Sequence, residues 1–318
     1  MKRLVVFCLL LLKPLSLQGQ VGQPAAASVP LRQSIKELVD ADRLQEARER
    51  LKQEVAARGE SGETHYLEGT ILFKQKHFAE SLKAAERSLA LGLRDAEVYK
   101  LIAFNSVVLN KTDIVERALN AALPLAPDDF AIHFHLGLLY FTTNRFAKSE
   151  NEFQTVTQLN PTYMKGYDLL GQAQEELEKD EVALANYRKA VELTEKQNLK
   201  DESAYLHLAK FYWARNRHQE SLEPVQKAVA INPRSAEAYY VLGRLLDELG
   251  REDEAVKALK QSTEVDAGSG ESYYLLSRIY LRRGQQDEAA RAMNAFRSRR
   301  TSSMRGSNKA NRHSVEDQ

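Results

Sequence analysis

The sequence predicts an all-α protein, a solenoid of about eight stacked helix-turn-helix units. Three observations carry that expectation. A pair of short amphipathic segments returns every 34 residues, with a single step of 38. Within each copy certain positions stay small and others large, at spacings that place them on one helical face. No stretch alternates convincingly in the manner of a strand.

The clearest copy runs from Ser235 to Gly268. Tyr239, Leu242, Gly243 and Leu246 share a face of its first helix, and Ala255, Leu259 and Ser262 share a face of its second. The break falls at Leu249-Gly250-Arg251. Aligned on this copy, the units begin near Ser28, Gly62, Ala96, Phe130, Met164, Glu202, Ala236 and Gly270. Position eight is small in most copies (Gly69, Ala103, Gly137, Gly171, Ala209, Gly243, Ser277), and so is position 20, with Val115 the exception. Position four carries a ring from His65 through Tyr273, and Pro127, Pro161 and Pro233 recur at position 32, where a second helix must stop. Small residues let the two helices approach, and the ring fills the space beside them. One unit cannot bury this face alone, so neighbours must stack.

Taken from the start, the chain opens on Met-Lys-Arg, an apolar run from Leu4 to Leu12 and small residues near Gly19. Residues 1–19 match a secretory signal peptide. Nine apolar residues fall short of the roughly 20 that span a bilayer. Two outcomes are open: cleavage, giving a secreted or periplasmic protein, or retention as a membrane anchor. The single cysteine, Cys8, lies inside this segment, so a cleaved chain has no disulfide and no cysteine-based zinc site. Cleavage also takes the formal net charge from +1 to about −2, which is not the balance of a nucleic-acid binder. Residues 20–27, small and containing Pro24, read as a linker, and residues 28–298 as the repeat array. Three departures stand out. The first unit has Leu31 at position four and Ser34 at position seven, as a degenerate cap would. The unit from Met164 is four residues long, absorbed either by an extended helix or by an added loop at Asn198–Asp201. Pro224 falls inside a second helix. Residues 299–318 are basic, polar and aperiodic, and read as a disordered tail.

Tyr239-Leu242-Gly243-Leu246-Ala255-Leu259, and again His133-Leu136-Gly137-Tyr140-Ser149-Phe153-Pro161, resemble the tetratricopeptide repeat with its W-x2-L-G-x2-Y, A-x3-F and P pattern. The resemblance covers about Ser28 to Phe296. It implies a right-handed superhelix whose first helices line a concave surface.

The residues themselves argue against an enzyme, a metal site or a cofactor. His133 and His135 are two apart and face away from each other on a helix. No H-E-x-x-H, G-x-S-x-G or phosphate loop is present. Glu175, Glu176 and Glu178 read as a solvated face rather than an acid/base pair. A binding face is better marked. If positions four, seven, eight and 11 face the core, then positions five, nine and 12 form the adjacent stripe, the one that lines the ligand groove in tetratricopeptide proteins. Its first half is apolar: Tyr66, Phe73, Phe104, Phe134, Leu138 and Phe141. Its second half carries a basic column, Lys210, Arg244 and Arg278, beside Trp213, Tyr240 and Tyr274. The aromatics read equally as groove anchors or as packing between helices, and the column as a carboxylate-binding track or as ordinary solubilising charge. The carboxylate-clamp residues of tetratricopeptide cochaperones are not reproduced. The leading expectation is a non-enzymatic scaffold holding a protein or peptide in this groove and serving a larger complex. Its rival is envelope attachment, the basic tail binding anionic lipid, polysaccharide or nucleic acid. The array itself is not expected to bind nucleic acid.

Overall fold

The computed structural model describes residues 30–299, and every regular element among them is helical. The expected signal peptide, the linker and the tail beyond Arg299 lie outside the described residues. The chain divides into two compact units, Met1–Pro161 and Thr162–Gln318. The first contains the pairs α1 (Leu31–Asp40) and α2 (Leu44–Arg58), α3 (Gly62–Lys74) and α4 (Phe78–Ala90), α5 (Ala96–Val108) and α6 (Thr112–Ala122), and α7 (Phe130–Thr142) and α8 (Phe146–Leu159). The second contains α9 (Met164–Glu176) and α10 (Asp180–Lys196), α11 (Ser203–Ala214) and α12 (His218–Ile231), α13 (Ala236–Glu248) and α14 (Glu252–Val265), then α15 (Gly270–Arg282) and a final helix, α16, over residues 286–299. Arg299, read from sequence as the start of the tail, is still helical. Its guanidinium lies 4.2 Å over the Tyr273 ring and donates to the Ala295 carbonyl at 2.9 Å, which ties it to the fold.

Each pair reverses at one residue of positive φ, in the same register every time: Asp42, Lys76, Asn110, Asn144, Glu178, Asn216, Gly250 and Gly284. That residue lets the chain satisfy the carbonyls left open at the end of a first helix. At α3, Lys76 N–H donates to the Phe73 carbonyl and His77 N–H to the Leu72 carbonyl, both at 2.9 Å. Glycine carries no Cβ penalty here, yet only two of the turns use it. At Lys76, with φ of 65°, relief of the left-handed strain should outweigh the entropic cost of glycine. Lys76→Gly is therefore expected to stabilise the first unit by about 0.5–1 kcal/mol, read as a higher urea midpoint; an unchanged or lower midpoint rules out strain at this turn.

Close approach inside a pair explains the small positions. A Cβ on Gly137 would lie 2.6 Å from the Phe153 ring, and one on Gly243 would lie 2.6 Å from Leu259. Where position 20 is serine, its buried hydroxyl donates to the carbonyl at position eight: Ser81 to Gly69 at 2.7 Å, Ser149 to Gly137 at 2.9 Å and Ser221 to Ala209 at 2.8 Å. Asn105 on α5 donates to Ser81 Oγ at 2.8 Å and so carries the same network into the next pair. The four extra residues are divided. The helix α10 has 17 residues against 14 in α12 and α14, and the remainder lengthens the link to α11. The helix α12 runs continuously through a buried Pro224.

Candidate functional site

In the first unit the first helices α1, α3 and α5 enclose a groove of about 260 Å³, lined by Arg32, Lys36, Val39, Tyr66, Thr70, Glu97, Lys100 and Phe104 among others. Tyr66 and Phe104 are half-buried in its walls. Burial pushes the Tyr66 phenol up to about 12, so it stays a neutral hydroxyl at any physiological pH. Charge is fixed around the groove by ion pairs that cross from one first helix to the next. Arg32 grips both Glu63 oxygens, at 2.7 and 2.6 Å, and reaches Asp95 at 2.7 Å. Its guanidinium lies 4.8 Å from the centre of the Tyr66 ring. Lys100 Nζ sits 2.6 Å from both Glu97 and Asp129. Burial works against both members of the Lys100–Asp129 pair, but their mutual hydrogen bonds and charges outweigh it. The lysine pKa rises and the carboxyl pKa falls. Asp95 also falls, against its burial, through the Arg32 hydrogen bond.

The other aromatics of this half do not line the groove as a continuous stripe. Phe134 and Leu138 are each 4% exposed and belong to the core. The Phe134 ring lies 6.3 Å from Phe153 and stacks on Phe130. The helical arithmetic fails at α7 because this helix is covered on nearly all sides: residues 132–140 are all buried. Phe73 and Phe141, both half-buried, meet the ring that opens the following helix edge-on, at 5.5 Å (Phe78) and 5.6 Å (Phe146). The Phe104 ring packs at a tilt against that of buried His135, their centres 4.7 Å apart.

In the second unit two members of the basic column, Lys210 and Arg244, lie beside acids. Lys210 is paired with Glu237. Arg244 lies 3.8 Å over the Trp213 ring and 3.7 Å from Glu248, which accepts the Trp213 indole N–H at 2.6 Å. Asp247 is taken by Arg282. Glu237 comes from the adjacent first helix, 27 residues along the chain, whereas Glu248 lies one turn from Arg244 on the same helix. Scanning for opposite charges at those separations would have exposed the pattern. The open end of the face is on α15: Tyr274 is 43% exposed, Leu281 58%, and Arg278 is exposed beside them. Tyr240 is half-buried between clusters of core side chains.

A pair that the sequence did not mark sits on the same face. Asp168 on α9 is buried, and both of its oxygens lie 2.9 Å from His207 Nδ1 on α11. Among the described residues no helix is long and apolar enough to cross a membrane.

Family models described as tetratricopeptide repeat match residues 33–96 and 240–303, 165–197 and 200–268, and one described as YpiA-like tetratricopeptide repeats matches 108–160. Among solved structures, the APC/C hetero-tetramer Cut9-Hcn1 is similar over 81% of this chain and 50% of that chain, at 13% identity and a TM-score of 0.59. Pseudomonas aeruginosa pilF is similar over 66% and 94%, at 14% identity and a TM-score of 0.55. A crystal structure of MamA aligns with 54% of this chain and 97% of that chain, at 22% identity and a TM-score of 0.47. No curated protein matches the chain. At these identities the likeness to Cut9-Hcn1 and pilF speaks for the fold.

Proposed function

Because the chain belongs to the tetratricopeptide repeat family and has its all-α solenoid fold, we propose that it is an interaction scaffold that seats a protein or peptide partner on its first-helix face. The groove of α1, α3 and α5 carries this reading. Its walls offer Tyr66 and Phe104 for apolar and aromatic contact, and its charges are held in place before a partner arrives, which lowers the cost of ordering them on binding. In the second unit the Trp213–Arg244 stack and the exposed Tyr274–Leu281 face of α15 supply further contact area. The proposed role is assembly of a larger complex, in a secretory or periplasmic compartment. The compartment rests on residues 1–19 and is checked by finding the N-terminus of the mature protein; a chain retaining Met1 in its native host excludes cleavage.

A photo-crosslinking amino acid at position 70, inside the groove, tests the partner site, with Lys83 on α4 as the outward control. The expected result is a discrete adduct from position 70 that is lost when Phe104→Ala is added, and none from position 83. Equal labelling from both positions overturns the groove reading.

A further inference from the structure

The one irregular step of the array falls between α9 and α11. There α10 runs to 17 residues before the chain returns to a first helix. The two first helices on either side still meet, and they meet through charge. His207 Nδ1 lies 2.9 Å from both carboxylate oxygens of Asp168, whose side chain is 5% exposed. Gln172, one turn along α9, donates to Asp168 Oδ2 at 3.3 Å and lies 3.3 Å from the same histidine nitrogen. The further charges that act on His207 are Lys210, also on α11, and Glu237 at the start of α13. These two are paired with each other. A carboxylate buried to this degree requires a charged or strongly donating partner, and His207 is the group that faces it.

We propose that His207 and Asp168 form a proton-dependent staple that holds α9 to α11 across the long repeat. With the imidazole protonated, an ion pair with a short hydrogen bond joins the two helices. When the proton leaves, a neutral ring faces a buried carboxylate and the pair loses its charge attraction.

The forces on His207 oppose one another, and those that favour the charged ring prevail. Burial pulls its pKa down, but the charge and hydrogen bond of Asp168 more than offset that, Lys210 opposes and Glu237 assists, and the result lies above the ordinary 6.5. A histidine raised on folding contributes stability that is complete below the unfolded value of about 6.5 and is lost as pH rises through the folded value. The second unit should therefore weaken as pH rises above about 6.5. This inference does not depend on what the first-helix face binds.

Two measurements on the full chain test it. In NMR titration of the histidine ring protons, His207 is expected to titrate above 6.5, and in Asp168→Asn its midpoint moves down. In urea unfolding at pH 6 and pH 8.5, followed by Trp213 fluorescence, the wild-type midpoint is expected to fall on going to the higher pH, and His207→Gln to lose part of that dependence. A wild-type His207 that titrates at or below 6.5 overturns the proposal even if neither variant folds. So does a His207→Gln protein that keeps the entire pH dependence.

Discussion

Phe153→Ala is expected to lower the stability of the first unit by about 3–5 kcal/mol, as complete removal of a buried ring does elsewhere. Phe153 is 0% exposed, and its ring lies directly over the α-carbon of Gly137, where no side chain intervenes. The contact makes a second, more specific expectation. Gly137→Ala alone gains about 1 kcal/mol of helix propensity but places a methyl group 2.6 Å from the ring. Displacing a packed phenyl costs about 1–3 kcal/mol. The single change should therefore be neutral or destabilising. In the Phe153→Ala background the obstruction is gone, and Gly137→Ala should become stabilising. A coupling of about 1–3 kcal/mol between the two sites, measured by chemical denaturation followed by circular dichroism, is the expected result. Additive effects would mean that the small position eight is not there to admit the ring at position 24.

Asp129→Ala should cost about 2–3 kcal/mol, because two functions end in one carboxylate. Its Oδ1 accepts the N–H groups of Ala131 at 2.8 Å and Ile132 at 3.3 Å and so caps α7. Its Oδ2 receives Lys100 from α5 at 2.6 Å. Asp129→Asn separates the two. Asparagine caps a helix as well as aspartate does but brings no charge to Lys100, so this variant should lose only about 1 kcal/mol. The pH dependence has a definite sign. The Asp129 carboxyl is held below its ordinary range, burial notwithstanding, by the hydrogen bond and charge of Lys100. A depressed carboxyl contributes stability that is present above the unfolded value of about 3.9 and disappears as pH falls through the folded value. Wild type and Asp129→Asn should differ near neutrality and converge in acid. Parallel acid-unfolding curves would show that Lys100 adds nothing beyond the cap.

The repeated contacts were legible because they are local. Gly137 and Phe153, or Gly243 and Leu259, stand 16 residues apart within one helix pair, and the pairing recurs at a fixed period. The sequence marked the turn at Gly250. At Lys76 and Glu178 the backbone takes the same left-handed conformation with a side chain that carries no such signal. The stripe at positions five and nine was legible only in part. Tyr66 and Phe104 do line a groove, whereas Phe134 and Leu138, at the same repeat positions in α7, are core. A helical wheel assumes one buried face, and α7 has several.

The charges divide in the same way. Lys210, Arg244 and Arg278 do fall at one repeat position, but that position does not say whether an adjacent helix brings an acid to it. Glu237, from the next first helix, reaches Lys210, whereas Glu248 reaches Arg244 from one turn along the same helix; Asp168 finds His207 rather than solvent. Helix formation, the order of the pairs and the small-against-large core follow from the chain alone, since each depends on residues a few turns apart and is repeated in every copy. Exposure, ion pairing and the shape of the groove belong to the stacked structure, because each is set by side chains from a neighbouring pair whose approach no single repeat encodes.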